Sequence, residues 1–148
     1  MVAGLVTLVG CDHVTKYAAK AELESQPPRQ LIASVLDLRY VQNTDTAFNM
    51  LRWVSERVRG PMLLGFGAVA LLALILTLLR WPGRAATRTA FVFILAGAVG
   101  NYLDRLFRGY VVDFIHIPHW PVFNVADIWV TAGIALLCWA QLRLTPHT

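Results

Sequence analysis

The chain has 148 residues, 57% of them hydrophobic and only 15% charged, with a mean hydropathy of +0.55. Soluble domains average about 25% charged residues, so these charges are too few to clothe a water-facing surface of this size. Two cysteines exclude a disulfide scaffold, the aliphatic and aromatic load excludes disorder, and the net charge of +4 is spread at the ends of apolar runs rather than gathered in a nucleic-acid-binding block.

The composition predicts an all-α integral membrane protein, a single membrane domain over residues 1–148. Its first apolar run, Met1 to Cys11, covers roughly 16 Å as a helix and is too short to span alone. Continued through Asp12 and Lys16 it becomes a first span over about 1–21, with those two residues at i, i+4 on one face. Leu8-Val9-Gly10-Cys11 also fits a lipoprotein cleavage box. No Lys or Arg precedes it, as a signal peptide requires, and cleavage there would destroy a span, so a continuing helix is the preferred reading.

Residues 22–59 form an insertion of mixed character. Gln26-Pro27-Pro28 breaks any helix. Leu31 to Val41 alternates loosely and predicts short strands. In Met50 to Arg59, Leu51, Val54 and Val58 fall at helical spacing, which predicts a short interfacial helix with Trp53 near the headgroups; an irregular loop is the alternative. Pro61 to Leu79 is nineteen residues without a charge, roughly 28 Å of helix, and predicts a span over 60–80. Arg80 to Arg88 holds three Arg and no acid, which argues for a cytoplasmic connection, although the opposite side carries more Lys and Arg in total. Thr89 to Leu103 and Ile128 to Leu142 predict spans over 88–107 and 126–144. Four spans are therefore expected. Cys11 and Cys138 are expected to be inert packing residues.

Ionisable residues in or beside membrane spans are costly and so are functional candidates. Here they cluster. Asn101, Asp104 and Arg105 lie at i, i+3 and i+4 on the third span. Asp113 stands in an apolar run, Gly109-Tyr-Val-Val-Asp113-Phe-Ile, and has the weakest structural excuse of all. Asn124 and Asp127 open the fourth span, and Asp12 with Lys16 close the first. In an alternating bundle all of these converge on one membrane face. Two carboxylates held close can share one proton, and such a pair can activate water while its protonated member polarises a carbonyl. Taken singly, each residue also has a structural reading: an ion pair for Asp12–Lys16 and for Asp104 with Arg105 or Arg108, interhelical hydrogen bonds for the two Asn, and an N-terminal helix residue for Asp127.

The blocks Asp12-His-Val-Thr-Lys16, Gly100-Asn-Tyr-Leu-Asp-Arg105, Gly109-Tyr-Val-Val-Asp113-Phe-Ile and Phe123-Asn-Val-Ala-Asp127 resemble, in order and over essentially the whole chain, the signature blocks of the lipoprotein signal peptidase (signal peptidase II) family. The resemblance implies a bacterial inner-membrane aspartyl protease with four helices, both termini cytoplasmic, a small extracytoplasmic β element and its site on the extracytoplasmic side. It implies removal of signal peptides from diacylglyceryl-modified prolipoproteins, just before the lipidated cysteine. Asp113 and Asp127 match the catalytic pair. Asn43, Asn101, Arg105, Asn124 and Ala126 match residues that line or support the site, and Asp12 with Lys16 match the supporting pair on the first helix. The expected partners are the prolipoprotein substrate and membrane lipid, with no nucleic acid, no metal or other cofactor, and a monomeric chain. The block after the first Asn departs from the family's Asn-x-Gly-Ala-Ala-Phe, reading Asn43-Thr-Asp45-Thr46-Ala47-Phe48, and this departure bears on substrate range.

The polar residues admit two other readings. Asp113, His116 and His119 have the spacing Asp-x2-His-x2-His of a possible ligand set, but Pro118 interrupts the helix that would align them. A catalytically silent binding or transport protein would use the intramembrane Asp and Arg as an ion path. Serine chemistry is disfavoured, since Ser25, Ser34 and Ser55 all lie away from the polar cluster.

Overall fold

The computed structural model describes residues 1–44, 53–80 and 83–143. Among the described residues, four long helices, α1 (Val2–Leu23), α2 (Glu56–Arg80), α3 (Ala85–Arg108) and α4 (Val125–Leu142), carry three strands, β1 (Arg29–Ile32), β2 (Leu36–Asn43) and β3 (Val111–His116). Three of the helices are long and apolar enough to cross a membrane: α2, α3 and α4, with mean hydropathies of 2.6, 1.4 and 1.6 over their most apolar stretches. Helix α1, at 22 residues, is also long enough, but it carries Asp12, Lys16, Lys20 and Glu22.

Helices α3 and α4 form the tightest pair, and small residues explain why. A Cβ on Gly97 would strike the Ala126 carbonyl oxygen, and one on Gly133 would lie 2.7 Å from the Ala90 carbonyl oxygen. Backbones approach this closely in membrane bundles because lipid gives no hydrophobic reason to pack, and van der Waals contact must do so instead. Helix α2 meets the bundle through α3, where Gly67 leaves room for the ring of Tyr102. Its Phe66, Val69, Leu72 and Leu79 remain exposed, as suits a lipid-facing helix. Across the α3–α4 seam Phe93 stacks on Trp129 with centroids 5.8 Å apart.

The expected interfacial helix is corrected where it can be seen. Met50–Arg52 lie outside the described residues, Trp53–Ser55 are not helical, and Glu56–Arg59 are the first turn of α2. The Ser55 carbonyl accepts from Val58 and Arg59 N–H and starts the helix there. Pro61 then falls inside α2, where its missing N–H forfeits one helix bond and its ring crowds the Arg57 carbonyl.

The short strands predicted within 31–41 are β1 and β2. The third strand was not foreseen. Helix α3 stops at Gly109, whose φ of 79° is the left-handed conformation glycine adopts without penalty. The β-branched and aromatic run Val111-Val112-Asp113-Phe114-Ile115 then pairs antiparallel with β2, giving the order β1-β2-β3. The register places Val41 opposite Asp113 and Asn43 opposite Val111, and slips between Leu38 and Val41. On one face Val112 and Phe114 join Ala19 and Leu23 of α1, with Leu38 and Tyr40 packed alongside, so the sheet rests on the end of α1. Asp113, between Val112 and Phe114, points the other way.

Candidate active site

Five elements deliver polar side chains to one place beneath the sheet. Asp113 on β3 is only 3% exposed, and amides hold both of its oxygens. Asn124 Nδ2 donates to Oδ1 at 2.6 Å, and Asn43 Nδ2, from the end of β2, donates to Oδ2 at 2.9 Å. Asp127 on α4 accepts from Asn101 Nδ2 at 2.9 Å and from its own helix start, the Asn124 N–H, at 3.1 Å. Asn124 in turn caps α4 by accepting from the Asp127 N–H at 3.1 Å, which closes a reciprocal capping box. The two carboxylates are thus linked through amides: Asn124 Nδ2 also donates to Asn101 Oδ1, at 3.1 Å.

Behind the amides lies a buried charge cluster. Lys16 Nζ, fully buried, donates to Asn101 Oδ1 at 2.9 Å and lies 2.8 Å from Asp12 Oδ2 and 3.0 Å from Asp104 Oδ2. Asp12 Oδ1 accepts from the Ala126 N–H at 2.9 Å, tying α1 to the first turn of α4. Gly100 makes this possible, since a Cβ there would sit 2.5 Å from Asp12 Oδ2. Arg105 Nη1 donates to the Asn101 carbonyl at 3.3 Å, and the guanidinium interacts electrostatically with both Asp113 and Asp127.

The environment of Asp113 shifts its proton affinity. Burial pushes its carboxyl up to about 6; the Asp127 charge adds to this, while the hydrogen bonds from Asn43 and Asn124 and the Lys16 charge oppose it. A carboxylate so placed holds a proton far closer to neutrality than an ordinary aspartate does. Beside Asp127 opens a cleft of about 400 Å³ lined by Trp120, Phe123, Ile128, Thr131, Ala132 and Ala135, almost wholly apolar around the one carboxylate.

All nine residues singled out from the sequence meet here, Ala126 through its backbone N–H. One was under-read. Asp104 pairs with Arg108 (2.8 Å) and Lys16, and its Oδ2 accepts from the Val112 N–H at 3.3 Å, one residue before Asp113. Its signal was the i, i+4 spacing to Arg108 within an apolar helix. The metal-type spacing dissolves once residues 111–116 are a strand, because Asp113 and His116, three apart, face opposite sides. His116 Nδ1 lies 2.8 Å from Asp37 Oδ2 instead, and hydrogen bonds from Arg39 and His116 hold Asp37 down at about 2. Cys11 lies mid-helix in α1 and, like Cys138, is unbonded and exposed. Ser25 and Ser34 occupy left-handed turn positions beside the sheet, with φ of 65° and 58°. Asp45 and Thr46 lie outside the described residues.

Apolar helices of membrane length, a small sheet seated on their ends and two carboxylates linked by amides beneath it define a membrane enzyme whose candidate reacting groups are acids. Residues 4–143 match the signal peptidase (SPase) II family, and the chain belongs to that family. It is similar to the lipoprotein signal peptidase of Thermodesulfovibrio yellowstonii, 38% identical over 139 residues that cover 89% of this chain and 87% of the relative. It is likewise similar to that of Moorella thermoacetica, 34% identical over 135 residues, covering 91% and 87%. Among solved structures, one described as a bacterial membrane enzyme determined by the in meso method at 1.9 Å resolution aligns with a TM-score of 0.84 and 27% identity, covering 97% of this chain and 93% of that one. A second, at 2.3 Å resolution, aligns with a TM-score of 0.82 and 27% identity, covering 96% and 87%.

Proposed function

We propose that this peptidase removes signal peptides from diacylglyceryl-modified prolipoproteins, cutting before the lipidated cysteine, with Asp113 and Asp127 as its catalytic pair. The observation that carries this reading is the amide-linked juxtaposition of those two carboxylates, one buried and raised toward neutrality. A water between them gives its proton to the ionised member and attacks the scissile carbonyl; the protonated member donates a hydrogen bond to the carbonyl oxygen and then supplies the proton to the leaving amine. The titration belongs to the pair rather than to either residue. Arg105 and Asn43 hold the substrate backbone, and Asn101 and Asn124 fix the carboxylate rotamers. Asp12 and Lys16 fix those asparagines and the Ala126 backbone. The apolar cleft beside Asp127 admits substrate laterally from lipid.

The chain then forms one domain of four spans, with α1 as the fourth: its two central charges, Asp12 and Lys16, are fully buried against α3 and α4 rather than offered to lipid. Both termini face the cytoplasm, the sheet and site lie on the extracytoplasmic side of a bacterial inner membrane, and the chain acts as a monomer. Cleavage of a lipidated prolipoprotein in vitro tests the pair. Asp113→Asn and Asp127→Asn are each expected to lower the rate by about 10²–10⁴; full activity in either variant overturns the assignment.

A further inference from the structure

At the end of the bundle away from the carboxylates, α1 and α3 part. No residue of α1 before Asp12 is buried, and a Cβ on Gly4 would meet nothing within 4 Å. The resulting groove has a volume of about 590 Å³ and runs between Gly4, Thr7 and Leu8 of α1 and Thr89, Val92 and Phe93 of α3. Its wall is apolar apart from a basic end, where Arg88 Nη2 lies 3.1 Å from Met1 Sδ, a weak acceptor.

The charge at this end runs against local preference. A helix N-terminus favours acidic side chains and disfavours basic ones. Helix α3 nevertheless begins with Arg84 at its N-cap and Arg88 one turn on, with no acid in its first turn and no side-chain cap. The first turn of α1, which forms the other wall, also has no acid. Residues 80–88, which join two helices of membrane length, hold three Arg and no Asp or Glu. A cleft of this size suits a ligand of lipid-chain dimensions, and basic pockets between helices at a membrane boundary suit phosphate headgroups.

We propose that this groove is a binding site for one anionic phospholipid, its phosphate held by Arg84 and Arg88 and one acyl chain lying between α1 and α3. The site is separate from the carboxylate pair, since Arg88 precedes Asn101 by roughly 20 Å along α3. The lipid offsets the charge repulsion at the start of α3 and fills the gap that leaves α1 unsupported over its first half.

The test uses the full chain purified in a mild detergent, with native mass spectrometry and thermal unfolding as readouts. Phosphatidylglycerol is expected to bind at one molecule per chain and at least tenfold more tightly than phosphatidylcholine of the same chains, and to raise the unfolding midpoint. Arg84→Gln with Arg88→Gln is expected to abolish that preference, whereas Arg84→Lys with Arg88→Lys, which keeps the charge, retains it. Gly4→Leu, which fills the groove, is expected to weaken binding of the lipid without removing the Arg pair. Equal binding of the two lipids, a preference that survives the Gln pair, or full displacement of phosphatidylglycerol by inorganic phosphate would each overturn the proposal.

Discussion

Lys16→Met isolates what the buried charge cluster contributes. Methionine keeps most of the side-chain stem and removes the ammonium that lies 2.8 Å from Asp12, 3.0 Å from Asp104 and 2.9 Å from Asn101 Oδ1. Breaking a buried ion pair costs about 3–5 kcal/mol, chiefly because a partner is left charged and unpaired. Asp104 keeps Arg108 and the Val112 N–H, so Asp12 bears most of the loss and the cost falls near 3 kcal/mol. For a chain of this length that lowers the midpoint of thermal unfolding by about 6–12 °C. Adding Asp12→Asn removes the stranded charge while an amide oxygen still accepts from Ala126 N–H, so the double variant is expected to recover at least half of the loss. A Lys16→Met midpoint within about 1 °C of the parent, or a double variant that melts lower still, would refute the reasoning.

Two further variants test other parts of the site. Asp113→Asn separates stability from chemistry: a carboxyl raised by burial stabilises the fold in its protonated form, and that contribution is lost as pH rises from its ordinary value through about 6. The Asn side chain is neutral throughout, so the variant should gain about 2 kcal/mol on the parent between about pH 4 and pH 7; unfolding curves that run parallel across this range would contradict the burial argument. Gly100→Ala drives a methyl onto Asp12 Oδ2 and is expected to cost about 1–3 kcal/mol and to lower cleavage with it, through Ala126 and the start of α4. Gly65→Ala, where nothing lies within 4 Å, should instead stabilise by about 0.4–1 kcal/mol, as unfolding of the two side by side would reveal.

The helices were legible because their signals are local. An uninterrupted apolar run fixes a helix within a few residues: the third was expected to end at 107 and α3 ends at Arg108. The acidic residues were legible for a related reason: a carboxylate such as Asp113 in a run of Val and Phe is conspicuous wherever it ends up. Strand β3 was hidden because six residues, four of them apolar with one acid and one His, have no decisive period, and its strand character is completed by β2, some seventy positions earlier. The partners of Lys16 were hidden more deeply. Its bond to Asn101 joins residues 85 positions apart, and the Asp12–Ala126 bond joins residues 114 apart; helical spacing brought Asp12 and Lys16 together but is silent about distant acceptors. Spacing also favoured an interfacial helix over residues 50–59, because the first turn of a long helix has the same period as a short separate one.

Asp127 has a structural duty beside the role proposed for it. Its Oδ2 and the Asn124 side chain are the two halves of the cap that starts α4, while its Oδ1 and the same Asn124 face the site. A small molecule that grips these atoms therefore grips the fold as well as the chemistry. A substitution at either position would fray the first turn of α4, whereas one along the apolar walls of the cleft would leave that cap intact.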